Sequence, residues 1–139
     1  MSVPTMVRVL SVPDPLASPS TGRLHWGAIA LGDWIDAGPV ADLVAGHGHR
    51  ALLRGCQIAV FRTPAGTVHA LDDFDPVSGA YGLSSGAVAD VGGVPSVWSP
   101  SSGRRFDLCT GRCLDLEGAR TVEVYPVQVR AGRVEVGLP

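Results

Sequence analysis

Glycine and proline are spread through the whole chain and limit the length of any regular structure that it can form. There are 18 glycines and 11 prolines among 139 residues. Proline inside a helix removes a backbone hydrogen bond, and glycine costs conformational entropy there. We therefore expect many short strands joined by turns, without long helices.

Length and composition indicate one globular domain with a core of its own. Hydrophobic residues make up 45% of the chain and charged residues 17%, and the net charge is −2 with no block of like charge. This balance is not that of a general nucleic-acid binder. No apolar run is long enough to cross a membrane, and Met1–Leu10 lacks the apolar core of a secretory signal. We therefore expect neither nucleic acid nor a membrane as a partner.

The cysteines indicate a reducing environment. Cys56, Cys109 and Cys113 are few and odd in number, so they do not form a disulfide framework. A cytoplasmic location is the expectation that follows.

Short apolar and alternating segments predict strands and hairpins. Residues 57–62 and 67–71 flank a turn in which Pro64 presets one dihedral angle and Gly66 can take a positive φ. Residues 125–130 and 133–138 form a last hairpin around Ala131 and Gly132, and 94–98 and 105–108 are further strands. We expect an all-β domain of roughly eight to ten short strands, either a sandwich or a partly open barrel.

The apolar pattern changes phase near the last hairpin. Val122 and Val124 are out of register with Val127 and Val129, and Pro126 lies between the two pairs. Because proline cannot donate to a sheet, a bulge or an edge position is expected at Pro126.

The beginning of the chain differs from the rest. Four prolines and four serines precede Leu24 without periodicity, and an apolar segment, 25–31, follows with no role that its pattern defines. We interpret residues 1–31 as an N-terminal extension that is largely flexible, and residues 32–139 as the folded domain.

Two loops and the segment after them carry the most specific pattern. The first loop reads Asp75-Pro76-Val77-Ser78-Gly79, the second reads Ser99-Pro100-Ser101-Ser102-Gly103, and Phe106-Asp107-Leu108-Cys109-Thr110-Gly111 follows. Here the chain resembles the Rieske domain, whose first loop carries Cys-x-His and whose second carries Cys-x-x-His-Gly. The resemblance implies a Rieske-like antiparallel β fold for residues 32–139.

The ligands of the Rieske cluster are replaced. The two cysteine positions fall on Asp75 and Ser99, and the two histidine positions fall on Val77 and Ser102. A Rieske cluster requires two thiolates on one iron and two imidazoles on the other. Valine has no donor atom, and a hydroxyl is a poor substitute for either ligand. We therefore expect the fold without the cluster, and no catalytic, cofactor-binding or metal-binding residue.

This combination, from about Trp34 to Val136, is similar to the small subunits of assimilatory NAD(P)H-dependent nitrite reductases. The resemblance implies a large-subunit partner that carries FAD, an iron–sulfur cluster and sirohaem, and that reduces nitrite to ammonium in nitrate assimilation. The chain itself would then be non-catalytic and free of cofactors. Two alternatives stay open: a Rieske-type electron carrier, which the missing ligands oppose, and a Rieske-derived interaction module for another oxidoreductase.

The former ligand loops are candidates for docking a partner, because Rieske proteins expose these loops at one tip. Asp75, Ser99 and Ser102 are small and polar, and Arg104 and Arg105 follow directly. Such residues suit a hydrated interface with charge-assisted hydrogen bonds.

For several other polar residues, a structural role and a functional role are both open. Asp72, Asp73 and Asp75 either hold a hard cation or shape turns. Cys109 and Cys113 either pair across a turn, bind a soft metal or remain small thiols. Simpler expectations apply to the remaining candidates: packing for Cys56, loop support or core for Trp98, solvated loop positions for His47 and His49, and the exposed face of a hairpin for His69.

Overall fold

The computed structural model describes residues 32–139, so the expected flexibility of residues 1–31 lies outside the described residues. Strands make up 53% and helices 6% of the structure, which confirms the all-β prediction. The strands are β1 (Asp33–Pro39), β2 (His47–Leu53), β3 (Cys56–Arg62), β4 (Val68–Asp72), β5 (Phe74–Asp75), β6 (Ala80–Tyr81), β7 (Ala87–Val91), β8 (Val94–Trp98), β9 (Arg105–Asp107), β10 (Val124–Tyr125), β11 (Val127–Arg130) and β12 (Arg133–Leu138). Two short 3-10 turns lie at Val40–Asp42 and Leu83–Ser85.

The strands form open antiparallel sheets. One has the order β1-β12-β11, a second β10-β4-β3-β2 and a third β7-β8-β9, and β5 pairs with β6 alone. None of them closes into a barrel. Within residues 32–139, no helix has the length and apolar character needed to cross a membrane.

Strands β3 and β4 are covered on both faces. Ile58 and Val60 contact one hydrophobic core, whereas Ala59 and Phe61, which alternate with them, contact another. Alternate residues of a strand point to opposite faces of the sheet, so the continuous apolar run Ile58–Phe61 fills both cores. The second sheet is therefore the middle layer of the domain.

Each core is completed by a different outer layer. The first core packs β3 and β4 against four valines of the last hairpin: Val127, Val129, Val134 and Val136. The second core packs the other face against the third sheet and the segments beside it: Leu83, Val97, Phe106, Leu108 and Val122. Val77, in the first of the two loops that the sequence singles out, packs against the second core.

The phase change at Pro126 marks a move between sheets. Strand β10 pairs with β4, and after Pro126 the chain continues as β11, which pairs with β12. Val122 accordingly belongs to the second core, while Val127 belongs to the first. The expected irregularity is present, and its cause is this transfer.

Two hairpins are closed by two-residue turns with a non-glycine residue at positive φ. Arg54 has φ 52° between β2 and β3, and Ala131 has φ 53° between β11 and β12. In each turn the second residue is glycine, also at positive φ, as a type I′ turn requires. The predicted turn at Ala131 and Gly132 is confirmed.

Candidate functional site

The first loop is an Asx-type turn built on Asp75. The Gly79 N–H donates to the Asp75 carbonyl at 2.8 Å, with Gly79 at φ 79°. The carboxylate Oδ1 of Asp75 accepts the N–H groups of Val77 at 2.7 Å and Ser78 at 3.2 Å. The side chain at the first cysteine position therefore accepts hydrogen bonds from backbone N–H groups of its own loop.

The second loop repeats this turn between β8 and β9. The Gly103 N–H donates to the Ser99 carbonyl at 2.9 Å, with Gly103 at φ 74°. The Ser102 N–H lies 3.4 Å from Ser99 Oγ, at the long end of a hydrogen bond. The two loops thus retain matched backbone shapes although neither carries a cysteine or a histidine.

A carboxylate and three hydroxyl groups join the two loops; we call this group, Asp75, Ser78, Ser99 and Ser101, the Asp75 clamp. Ser99 Oγ donates to Asp75 Oδ2 in a short hydrogen bond, and Ser101 Oγ donates to the same oxygen at 3.2 Å. Ser101 Oγ also lies 2.7 Å from Ser78 Oγ, so the first loop is held at a second point.

The clamp is closed to solvent at its centre. Asp75 is 1% exposed and Ser99 is 2% exposed. Their side chains therefore shape the tip from within and do not lie on its surface. Ser78 and Ser101 are exposed, and only their position inside the two loops could have singled them out in the sequence.

The environment of Asp75 favours the ionised form. Burial raises the pKa of Asp75, but hydrogen bonds from hydroxyl groups of the second loop, including Ser99, and from the Val77 and Ser78 N–H groups outweigh it. The pKa of this carboxyl is consequently lower than its ordinary value. A negative charge lies at the position where a Rieske protein holds a thiolate.

Beside the second loop, an aromatic and basic surface reaches solvent. Trp98 is 43% exposed, and the Arg105 guanidinium carbon lies 5.2 Å from its ring centroid. Arg105 Nε is 3.6 Å from Asp115 Oδ2, and Arg104 Nη1 donates to the Asp115 carbonyl at 3.4 Å. We call Trp98, Ser102, Arg104 and Arg105 the tip surface. The exposure of Trp98 is inconsistent with a place in the core, the first of its two expected roles.

The acidic residues before the first loop do not share a site. Asp73 is fully buried, and its carboxylate accepts Ser84 N–H at 2.6 Å and Gln57 Nε2 at 2.8 Å. Asp75 has the separate partners of the clamp. Among residues 32–139, no three histidine, cysteine, aspartate or glutamate side chains are arranged to hold a metal ion.

The histidines lie elsewhere than the sequence predicts. His47 and His49 belong to β2, paired along β3, and His49 Nε2 accepts the Val44 N–H at 3.0 Å, so the loop assignment is wrong. His69 is 1% exposed, so its predicted position on an exposed face is also wrong. His69 pairs with Phe61 across β3 and β4. Because both faces of this middle sheet are covered, the His69 side chain is buried.

None of the three cysteines lies within either of the two loops. Cys109 and Cys113 follow β9, and all three cysteines are free. Cys56 begins β3 and is exposed, so its expected packing role is wrong. The first residue of a strand at a hairpin lies outside the covered part of the sheet, which explains the exposure.

A family model described as the Rieske-like [2Fe-2S] domain matches residues 33–137. The residues present do not fit the cluster that this description implies. Its four ligand positions hold the hydrogen-bonded Asp75 and Ser99, the Val77 side chain packed against the second core, and Ser102. With no thiolate and no imidazole in either loop, this donor set cannot bind two irons as a Rieske centre does.

Nitrite reductase small subunits occur among both the sequence matches and the structure matches. The nitrite reductase (NADH) small subunit of Salmonella typhimurium is 33% identical over 107 residues, covering 76% of this chain and 98% of that protein. A solved Mycobacterium tuberculosis structure, described as an NADH-dependent nitrite reductase small subunit, has a TM-score of 0.74 at 40% identity, covering 78% of this chain and 97% of that one.

A further relative is much longer. The nitrite reductase [NAD(P)H] large subunit of Klebsiella oxytoca is 44% identical over 81 residues, which cover 58% of this chain but only 8% of that protein. Together, the family model and the matched small subunits place the sequence: the chain belongs to the Rieske-like domain family and, within it, to the small subunits of NADH-dependent nitrite reductases.

Proposed function

We propose that this chain is the cofactor-free small subunit of a cytoplasmic NAD(P)H-dependent nitrite reductase that forms ammonium in nitrate assimilation. The observation that carries the proposal is the match to a nitrite reductase small subunit over 98% of that protein's length. The partner is a large subunit that carries FAD, an iron–sulfur cluster and sirohaem, and that performs the whole six-electron reduction.

Direct contact with the large subunit has independent support. The Klebsiella oxytoca relative, itself named a large subunit, contains a stretch 44% identical to 81 residues of this chain. A domain of this kind is therefore part of the same polypeptide as a large subunit in that protein. Here the same association occurs between separate chains.

The chemistry of the two loops supports a non-catalytic role. The Asp75 clamp is a set of hydrogen bonds among a carboxylate and hydroxyls, none of which exchanges electrons at biological potentials. Electrons consequently pass among the groups of the large subunit, and this chain acts by binding to it and fixing its conformation.

The tip surface is the proposed docking site. Asp75 and Ser99 hold the two loops from within, while Ser102, Arg104 and Arg105 contact the partner. Trp98 adds a large apolar area beneath Arg105, and tryptophan and arginine are the residues that most often dominate interface energies. Arginine at such a site favours an acidic patch on the large subunit.

The function is tested by reconstitution. Nitrite-dependent oxidation of NADH or NADPH is measured with this chain alone, with the purified large subunit alone, and with both. Activity is expected only where the large subunit is present, and it is expected to rise when this chain is added. Nitrite reduction by this chain alone, or no effect of adding it to its large subunit, would contradict the proposal.

The docking site is tested by charge reversal. The double change Arg104→Glu and Arg105→Glu is expected to weaken binding to the large subunit by several kcal/mol if the pairs are buried, and by less at a rim. Arg130→Glu, whose side chain is 72% exposed on the β11–β12 hairpin, is the matched control. Calorimetry at low salt measures both, and equal affinities for the two variants would remove the arginines from the interface.

A further inference from the structure

A cleft beside the start of β3, between β10 and the end of β12, has no assigned role. It has a volume of about 350 Å³, and its apolar lining comes from Val124, Tyr125, Leu138 and Pro139. Cys56 contributes an exposed thiol to the lining, and Arg54 and Glu123 supply the charged groups. An apolar cleft of this size that is open to water is a site where another chain segment gains energy by burial.

The described chain begins against the wall of this cleft. A Cβ atom added to Gly32 would lie 2.2 Å from the Leu138 carbonyl oxygen and 3.0 Å from the Pro139 Cα. The backbone at Gly32 therefore passes directly beside two of the residues that line the cleft. Any side chain at this position would collide with main-chain atoms, so the close passage depends on glycine.

The sequence just before Gly32 matches the lining chemically. Residues 25–31 read His25-Trp26-Gly27-Ala28-Ile29-Ala30-Leu31 and contain no carboxylate, lysine or arginine. Seven extended residues span about 25 Å at most, so the segment reaches across the cleft from its attachment at Gly32. The proline-rich residues upstream lack such an apolar run.

The segment lies outside the part of the chain that the family model matches, which begins at residue 33. The small subunit of Salmonella typhimurium is covered over 98% of its length by 107 residues of alignment, so most of this chain's additional residues have no counterpart there. The segment is thus a feature of this chain that the shared domain does not explain, whereas all residues that line the cleft except Leu138 and Pro139 lie within the matched range.

We propose that residues 25–31 pack into the cleft of this same chain, with Trp26 and Ile29 against its apolar lining and the Cys56 thiol covered. The attachment point favours this occupant over a separate molecule, because a segment joined at the wall loses far less entropy on binding. The proposal does not depend on the nitrite reductase assignment.

Alkylation of Cys56 tests it. Iodoacetamide labelling of the three cysteines is followed by peptide mass spectrometry in the full chain, in a chain that lacks residues 1–24 and in a chain that lacks residues 1–31. Cys56 labelling is expected to be severalfold faster in the chain that lacks 1–31 and unchanged in the chain that lacks 1–24. The half-buried Cys113 reports on the fold and should be labelled at one rate in all three.

If the chain that lacks residues 1–31 does not fold, a full-length double variant, Trp26→Ser with Ile29→Ser, replaces it in the test. It is expected to speed Cys56 labelling, whereas Val9→Ser with Val12→Ser, placed upstream, is not. One Cys56 rate in all chains would overturn the proposal, as would a rate that rises already on removal of 1–24. Protection of Cys56 that disappears on dilution would identify a second copy as the occupant and would overturn it as well.

Discussion

Ser99 donates its hydroxyl hydrogen to the Asp75 carboxylate, so the residues at the two cysteine positions of the Rieske pattern are bonded to each other. In a Rieske protein, iron joins these two loops. Here a buried negative charge and hydroxyl groups join them, and Ser101 adds a second donor to the same carboxylate oxygen. The tip can therefore keep its shape after the loss of the metal ligands.

Replacing Asp75 is expected to loosen both loops. Asp75→Ala leaves the Ser99 and Ser101 hydroxyls without their shared acceptor and the Val77 N–H without its partner. Ser99 is buried, and an unsatisfied buried group costs about 1–3 kcal/mol, so with smaller losses at the partly or fully exposed Val77 and Ser101 the free energy of unfolding should fall by about 2–3 kcal/mol. Asp75→Asn preserves the shape and should cost about 1 kcal/mol. Urea denaturation at pH 7 measures both.

Asp42→Asn, at an exposed position, is the matched control and should be neutral. Because the pKa of Asp75 is lowered in the folded state, its stabilising contribution is complete above its ordinary pKa and is lost as the pH falls through the folded value. The difference between Asp75→Asn and the parent chain should therefore shrink below about pH 4. A constant difference down to pH 2 would exclude the carboxylate charge as its cause.

The replacement of the ligands predicts the outcome of cluster reconstitution. After anaerobic treatment with iron and sulfide, the parent chain is expected to retain neither in stoichiometric amount. A variant with Asp75→Cys, Val77→His, Ser99→Cys and Ser102→His restores the Rieske donor set and serves as the positive control. Iron analysis and visible absorption spectra distinguish the two. A stoichiometric cluster in the parent chain would refute the absence of a binding site.

The sequence sufficed for the β3–β4 and β11–β12 hairpins and for β8 and β9, but not for β2, whose two histidines it assigns to a loop, nor for the layers. Turn residues such as Pro64 and Gly66, and the alternation of valines around Ala131, are local signals that identify hairpins without knowledge of their neighbours. The exposed or buried state of His69 depends on a second core that covers the other face of β4. That core is assembled from residues far away in the sequence, so a pattern of period two cannot reveal it.

The same distinction applies to the tip. The positions of Asp75 and Ser99 follow from the motif, because glycine and proline fix the spacing of the loops. That their side chains bond to each other, with Ser78 and Ser101, depends on how the two loops approach across 24 residues of sequence. Resemblance to a metal site identifies its positions, but the interactions that replace the metal are visible only in the folded chain.

A substitution at Ala131 is expected to stabilise the domain through its turn. Alanine at φ 53° is strained by its Cβ atom, whereas asparagine tolerates the left-handed region and is preferred in type I′ turns. Ala131→Asn should raise the free energy of unfolding by about 0.5–1 kcal/mol. Ala41→Asn, which is exposed outside any positive-φ position, is the control. An unchanged urea midpoint for Ala131→Asn would show that the turn carries no such strain.

Removal of residues 1–24 is expected to leave the melting temperature nearly unchanged. The prolines and serines of this part, and its lack of apolar periodicity, predict little contribution to the core. Calorimetry on the full chain and the shortened chain checks this expectation. A fall of more than about 8 °C would correspond to a loss of more than about 1 kcal/mol and would reveal packing by these residues.

His69 is expected to make the domain less stable in mild acid. Burial lowers the pKa of His69 to about 4 from 6.5, and the charge of Asp107 opposes this only in part. The unfolded chain therefore binds a proton at this residue between pH 6.5 and 4 that the folded chain does not. The stabilising contribution is complete above pH 6.5 and decreases as the pH falls, by up to about 3 kcal/mol.

His69→Leu removes this proton uptake and should flatten the decline in unfolding free energy between pH 6.5 and 4 by that amount. The substitution also removes the contact between His69 Nε2 and Thr67 Oγ1 at 3.0 Å, which lowers stability equally at every pH and leaves the slope unaffected. His47→Gln, at an exposed position on β2, should keep the parent slope. Urea titrations across this range compare the three chains. A parent-like slope in His69→Leu would exclude His69 as the cause of the acid sensitivity.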